Sequence, residues 1–330
     1  MVDFDGLDRA ERVVVAGGGG FIGGHLVARL RELGFAQVRA VDCKPLEQWH
    51  QRFDDVECLR LDLSEREACL AACEGAGYVF NLAADMGGMG FIAHHKALCM
   101  LSVLVSAHML LAARDRGVGR FFYASSACVY PAGRQTSPEV VALAEDDAYP
   151  AMPEDGYGWE KLFGERLARH FREDFAVTTR VARYHNVYGP YGTWDGGREK
   201  APAAICRKVI AAKLSGRYEI EIWGDGRQAR SFAYIDDCVE GTLRLMASGC
   251  ADPLNIGSAE LVTIDELVSI VEEIAGVNLK RVYLLDAPQG VRGRNSDNTR
   301  CRAELGWAPS ISLHEGLSHT YAWIHDQMRA

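Results

Sequence analysis

Several features are missing from this chain, and each absence removes a class of function. No Gly-Lys-Ser or Gly-Lys-Thr occurs in its 330 residues, which excludes a P-loop nucleotide site. The ten cysteines contain no Cys-x-x-Cys pair. Cys69 and Cys73 stand one helical turn apart with no second ligand pair at finger spacing, so no metal is expected. His94, His95 and His108 also lack ligand partners at usable spacing. Basic charge is in short supply: 36 Lys and Arg face 45 Asp and Glu, a net charge of −9. That balance argues against nucleic acid or an anionic membrane as the main partner. The polar start, Met1 to Arg12, has no signal-peptide core, and no apolar run is expected to span a bilayer. Linkers, low-complexity runs and internal repeats are absent too. What remains is a cytoplasmic globular enzyme with reduced, mostly buried cysteines, long enough to form two lobes.

The first positive signal is a strand, a glycine turn and a helix in succession. Val13-Val14-Val15-Ala16 reads as a buried parallel strand. Gly17-Gly18-Gly19-Gly20-Phe21-Ile22-Gly23 follows, ahead of a helical pattern from His25 to Leu33. Gly17, Gly20 and Gly23 let backbone approach a pyrophosphate, whose charge sits at the helix N-terminus. A second strand, Val38 to Val41, ends in Asp42, 19 residues beyond Gly23. An acidic residue there binds ribose hydroxyls and repels a 2′-phosphate, so NAD is favoured over NADP. Further strands are expected at Val56 to Leu61, just before Asp62, and at Tyr78 to Leu82, just before Ala83. Small residues at that fourth strand tip leave room for a cofactor to lie across it. Met86-Gly87-Gly88-Met89-Gly90 then reads as a flexible apolar loop at the carboxyl edge of the sheet, where ligands bind in open α/β folds.

The chemistry concentrates between Tyr123 and Lys200. A fifth strand, Phe121 to Ala124, delivers Ser125, Ser126, Ala127 and Cys128 at its carboxyl end. Tyr157 and Lys161 are at i, i+4 on one helix face. There the lysine ammonium is expected to lower the tyrosine pKa toward neutrality, and a serine hydroxyl completes the set by binding the substrate oxygen. Such a tyrosine can take a proton from a carbinol while NAD takes the hydride. Cys128 reads equally well as a packed strand-end cysteine or as a base toward an acidified C–H bond. Lys200, in Gly196-Gly197-Arg198-Glu199-Lys200, reads on composition alone as a solvated loop lysine.

With these residues in place, the chain resembles the extended short-chain dehydrogenase/reductase family that acts on nucleotide sugars. Within it the chain is most similar to the GDP-mannose 3,5-epimerases. The resemblance covers roughly residues 11 to 325 and is carried by Ala83 to Gly90, Ser125 to Cys128, Gly192-Thr193-Trp194 with Gly197 to Pro202, and Val291 to Asn298. It implies a Rossmann-type, doubly wound α/β sheet over residues 1–183, joined by about 232–257. It further implies an interwoven lobe for the nucleotide sugar over 184–231 and 258–330. The implied cofactor residues are Gly17, Gly20, Phe21, Ile22, Gly23, Asp42, Asp62, Leu82 and Ala83, with Tyr157 and Lys161. The implied substrate residues are Gly87, Ser126, Ala127, Cys128, Asn186, Glu199, Lys200, Lys208, Gln228, Arg230 and Arg294. The resemblance makes Cys128 and Lys200 an acid/base pair and Arg230 and Arg294 the phosphate ligands. Related dehydratases carry Asp-Glu where this chain has Ala127-Cys128, so the acid that expels a hydroxyl is missing.

The implied substrate is GDP-mannose, the partner a second copy of the chain through two long helices per subunit. Two other readings stay open: a 4-epimerase or single-centre epimerase on another nucleotide sugar, and a non-catalytic NAD-sensing protein. One departure stands out. Where the family usually carries asparagines in the long helix, this chain has Met100, Leu101 and Ser102, which puts the support of Lys161 in doubt.

Overall fold

A computed structural model describes residue 4, residues 6–139 and residues 141–329. Alternating burial builds its central sheet. In β1 (Arg12–Ala16), Val13 and Val15 enter one hydrophobic cluster while Val14 and Ala16 enter another on the opposite face. Phe80 and Val79 divide in the same way in β4 (Ala76–Asn81), as do Phe122 and Phe121 in β5 (Arg120–Ser126). Strands apolar on both faces need helices on both faces, which is the condition for a parallel, doubly wound sheet.

The remaining strands of that sheet are β2 (Gln37–Asp42), β3 (Glu57–Arg60), β6 (Thr179–Tyr184) and, late in the chain, β11 (Leu254–Ile256). Their order is β11-β6-β5-β4-β1-β2-β3, and every pairing is parallel. The reversal of strand order beside β1 opens a crevice at the carboxyl edge, as expected of a Rossmann-type sheet. Helix α1 (Phe21–Glu32) buries Leu26, Val27 and Leu30 on one face. Helices α2 (Arg66–Ala72), α5 (Ser102–Asp115) and α6 (Tyr157–Phe175) cover the other with Cys69, Met109, Leu110, Ala168 and Phe171.

Between β4 and α5 the chain forms two short helices, α3 (Met89–His94) and α4 (Lys96–Met100). The loop expected over Met86–Gly90 is therefore irregular only to Gly88. The long helix that carries Met100, Leu101 and Ser102 is interrupted at Leu101, between α4 and α5. The expectation that no apolar run can span a bilayer is also corrected. Lys96–Asp115 is long and apolar enough by length and composition, because no Asp, Glu, Lys or Arg occurs from Ala97 to Ala113. Its buried face, Ser102, Ser106, Met109 and Leu110, packs on the fold.

The second half of the chain adds small sheets around the carboxyl edge. Strands β7 (Val187–Tyr188) and β10 (Ala233–Tyr234) pair in parallel, as do β8 (Glu219–Trp223) and β13 (Lys280–Leu284). Strand β9 (Ala229–Ser231) lies between β12 (Leu261–Thr263) and β14 (Gly293–Arg294). This last pairing sets Arg230 opposite Arg294. Helices α7 (Ala201–Ser215), α8 (Ile235–Ala247), α9 (Ile264–Ala275), α10 (Thr299–Leu305) and α11 (Leu313–Gln327) complete the chain. Thr263 and Glu266 form a reciprocal cap on α9.

Candidate active site

The first wall of the site is the glycine turn. Gly17 has φ +82, and a Cβ at Gly23 would lie 2.0 Å from the Gly17 carbonyl oxygen. Only glycine lets α1 start this close to β1. The N-cap of α1 is Gly20, with no side chain over the helix end. Asp42 ends β2 and accepts the Lys44 N–H at 3.0 Å; Asp62 follows β3 and accepts the Ser64 N–H at 2.9 Å. Leu82 leaves β4 beside the turn, its N–H bonded to the Ala16 carbonyl at 3.0 Å. The expected cofactor residues thus share one edge of the sheet. A backbone cradle that a Cβ would fill, a bare helix N-terminus and a strand-end carboxylate fit a dinucleotide.

The second wall is the end of β5. Ser126 accepts the Cys128 N–H at 3.2 Å and so caps a tight turn over Ala127–Val129. Helix α6 starts directly against that turn, since a Cβ at Gly158 would stand 2.3 Å from the Cys128 carbonyl oxygen. That glycine brings Tyr157, the first residue of α6, to Cys128. Ser125 points away and donates to Glu165 at 2.5 Å, so Ser126 is the serine of the site. Lys161 is buried, its ammonium 5.5 Å from the centre of the Tyr157 ring. The expected lowering of the tyrosine pKa does not appear. Burial holds Tyr157 well above the usual phenol value, Cys128 and Glu160 add to that, and Ser126 opposes it.

The third wall comes from the second half of the chain. Lys200 is the N-cap of α7, and burial pushes its ammonium down while nearby Cys128 pulls it up. A lysine so placed can give and take protons closer to neutrality than a solvated one. The Arg198 carbonyl accepts the Gly88 N–H at 2.9 Å, and a Cβ at Gly88 would lie 2.3 Å from the Glu199 carbonyl oxygen. Arg198 also bonds Asp85 at 2.6 Å and stacks 3.8 Å over Phe91, which ties the lysine loop to the Gly87–Gly88 loop.

These walls enclose a cleft of about 290 Å³. Gly87, Ser126, Ala127, Cys128, Tyr157, Asn186, Glu199, Lys200, Lys208, Gln228, Arg230 and Arg294 all line it, so every expected substrate residue meets in one place. Asn186 takes φ +43, unusual for a residue with a side chain, and bonds the Ser231 carbonyl. The buried Gln228 Oε1 has no hydrogen-bond partner among the described residues. Arg230 has backbone carbonyls as partners and forms no ion pair among the described residues, so the cleft holds an uncompensated cation. Its opposite, Arg294, is already paired with Glu154 and reaches the Cys128 sulfur at 3.6 Å.

Sequence reasoning missed Arg207, Glu221, Trp223 and Gln289, which also line the cleft. Trp223, at the end of the alternating run Glu219-Ile220-Glu221-Ile222, was the signal the sequence offered. A second cavity of about 400 Å³, between α6 and Arg300, contains none of the expected catalytic residues. No cluster of three metal-ligating side chains occurs among the described residues.

The profile of the NAD dependent epimerase/dehydratase family matches residues 13–257. The chain belongs to that family. As a family member it is an enzyme whose cofactor is NAD, and the cradle above fits that cofactor. GDP-mannose 3,5-epimerase 1 of Oryza sativa subsp. japonica is 48% identical over 318 residues, covering 96% of this chain and 82% of the rice protein. GDP-mannose 3,5-epimerase of Arabidopsis thaliana is likewise 48% identical over 318 residues, covering 96% of this chain and 83% of the relative. Among solved structures, the UDP-glucose 4-epimerase of Thermotoga maritima with UDP-glucose superposes with a TM-score of 0.86 at 26% identity, covering 96% of this chain and 99% of that one.

Proposed function

We propose that this epimerase inverts GDP-mannose at carbons 3 and 5 to give GDP-L-galactose, by transient oxidation at carbon 4. The observation that carries the reading is the meeting of Cys128 and Lys200 in the cleft that also holds Ser126 and Tyr157. A 4-epimerase needs only the serine, tyrosine, lysine and cofactor. A thiol and a desolvated amine on the same cleft are what two additional C–H inversions require. The two plant relatives at 48% identity support the same reaction and substrate.

Tyr157 accepts the proton of the 4-hydroxyl and Ser126 orients that oxygen. NAD, when bound, supplies the acceptor for the carbon 4 hydride and its return. A ketone at carbon 4 acidifies the C–H bonds on both neighbours, because each carbanion is an enolate. Cys128 removes a proton from one face and Lys200 delivers one to the other, so each centre inverts. Each such group contributes roughly a hundred- to ten-thousand-fold. Arg230 supplies the charge for the diphosphate, with Lys208 and Asn186 beside it. The same reading divides the chain into a cofactor lobe, 1–183 with about 232–257, and a sugar-nucleotide lobe formed by 184–231 and 258–330.

The test is proton NMR with GDP-mannose in deuterium oxide. Wild type should exchange deuterium into carbons 3 and 5 and give new hexose signals. Cys128→Ala should lose that exchange roughly a hundredfold or more. No exchange by wild type overturns GDP-mannose as substrate, and epimerisation at carbon 4 alone favours the simpler reaction.

A homodimer belongs to the same proposal. Leu98, Leu104, Trp159 and Phe163 are exposed on the packed helices α4, α5 and α6, and Leu101 is exposed at the junction of α4 and α5. Apolar residues on such a face suit a second copy of the helices. A monomer by light scattering at micromolar concentration overturns it. Ten unpaired cysteines support a reducing compartment such as the cytoplasm.

A further inference from the structure

Between Tyr157 and Lys161 lies a carboxylate that the reaction above does not use. The Glu160 side chain is fully buried, at 0% exposure. Its Oε1 accepts the Tyr123 hydroxyl of β5 at 3.2 Å and the Ser106 hydroxyl of α5 at 3.5 Å. Its Oε2 stands 3.4 Å from Lys161 Nζ and has no hydrogen-bond partner among the described residues. No other carboxylate pairs with that ammonium among the described residues. Ser102, at one of the positions where asparagine is expected, is instead turned to the backbone N–H of Asp85 at 3.0 Å. The support of Lys161 thus comes from within α6.

We propose that Glu160 is a positioning residue that holds Lys161 and offsets its charge, so that Tyr157 both takes a proton and gives it back. The proposal rests on the reading of Tyr157 as the acid/base at carbon 4. A one-way dehydrogenase needs its tyrosine as a base, and a lone buried ammonium serves that by favouring the phenolate. An enzyme that oxidises and re-reduces one carbon needs the same oxygen first as base, then as acid. The proton leaves the sugar hydroxyl for the phenolate and returns along the same hydrogen bond, with no net change. A phenolate held too strongly would stall the return. A carboxylate 3.4 Å from the ammonium divides its field and keeps the phenol within reach. The groups facing Tyr157 are Tyr123 from β5, Ser126 and Cys128 from its end, Cys99 from α4, and Glu160 and Lys161 from its own helix. Burial, Cys128, Glu160 and Cys99 push the phenol up and Ser126 pulls it down. Of these, Glu160 alone brings a carboxylate to the lysine ammonium, which also lies 5.0 Å from the centre of the Tyr123 ring.

The test needs no substrate. Ultraviolet pH-jump titration of tyrosinate is compared between wild type and Tyr157→Phe, and again between Glu160→Gln and Glu160→Gln/Tyr157→Phe. Each difference isolates Tyr157 among the 12 tyrosines. Loss of the carboxylate removes repulsion on the phenolate and frees the ammonium, so Tyr157 should titrate lower by about one pH unit or more. The acid limb of deuterium exchange should move to lower pH by the same amount. Glu160→Asp should give a smaller shift in the same direction, and it carries the comparison if the glutamine variant does not fold. An unmoved Tyr157 titration with reduced activity makes Glu160 purely structural and overturns the proposal. Wild-type exchange in Tyr157→Phe overturns the underlying reading instead, and the proposal with it.

Discussion

Helix α6 carries two buried carboxylates, Glu160 and Glu165, and holds them in opposite ways. Glu165 is saturated. It accepts the Ser125 hydroxyl at 2.5 Å and two arms of the Arg183 guanidinium at 2.9 and 2.7 Å. The same Arg183 bonds the Glu145 carbonyl at 2.6 Å, which joins α6, β6 and the segment ahead of the helix into one network. Glu160 has longer contacts, one oxygen with no hydrogen bond, and an ammonium at 3.4 Å in place of a fork. Both are out of water, so the difference is one of use. A bidentate, fully bonded pair has one state and organises the fold. A half-satisfied carboxylate beside an acid/base pair keeps its field available to its neighbours.

That contrast can be broken from either side. The largest effect is expected at Glu165→Ala, which leaves Arg183 buried, at 3% side-chain exposure, with no carboxylate. The expected loss is about 3–5 kcal/mol of folding stability by denaturant titration, with deuterium exchange per folded molecule close to wild type. Glu160→Gln should cost less, about 1.5–3 kcal/mol for leaving the buried Lys161 without its carboxylate at 3.4 Å, and should instead bring the shift in Tyr157 described above. Equal stability losses in the two variants would erase the distinction.

Much of this site could be read from local spacing. Gly17 to Gly23, Asp42, and Tyr157 with Lys161 are short-range patterns, and each has one geometry that makes sense of it. Ser126 and Cys128 followed from lying just past a strand. Cys128 as an acid/base group and the partnership with Lys200 came from resemblance, because a thiol on a strand end has an equally good packing role. The parts that could not be read depend on distant neighbours. The N-cap of α8 is Tyr234, and Asp237 in its first turn accepts the Ser310 and Ile311 N–H groups, 73 and 74 residues away. The break at Leu101 has no proline or glycine to announce it. The tyrosine pKa was misjudged because a Tyr/Lys spacing shows the ammonium but not the burial or the carboxylate opposing it. Glu160 looks in sequence like any polar residue of a helix. It becomes a candidate only when β5 and α5 deliver Tyr123 and Ser106 to it.

The smallest effects test whether those two hydroxyls serve Glu160 at all. Tyr123 is fully buried and its hydroxyl has Glu160 as its partner at 3.2 Å, so Tyr123→Phe should cost about 1–3 kcal/mol, mostly by leaving a buried carboxylate with one donor fewer. Ser106 sits at 3.5 Å, the limit of a hydrogen bond, and Ser106→Ala should cost under about 1 kcal/mol. Combining Tyr123→Phe with Glu160→Gln should cost less than the sum of the two, with a coupling of about 0.5 kcal/mol or more, because the second change meets a partner already gone. Combining it with Glu165→Ala should be nearly additive, since Glu165 is held by Ser125 and Arg183 instead. If Tyr123 couples as strongly to Glu165 as to Glu160, the two carboxylates belong to one structural network and the contrast between them fails.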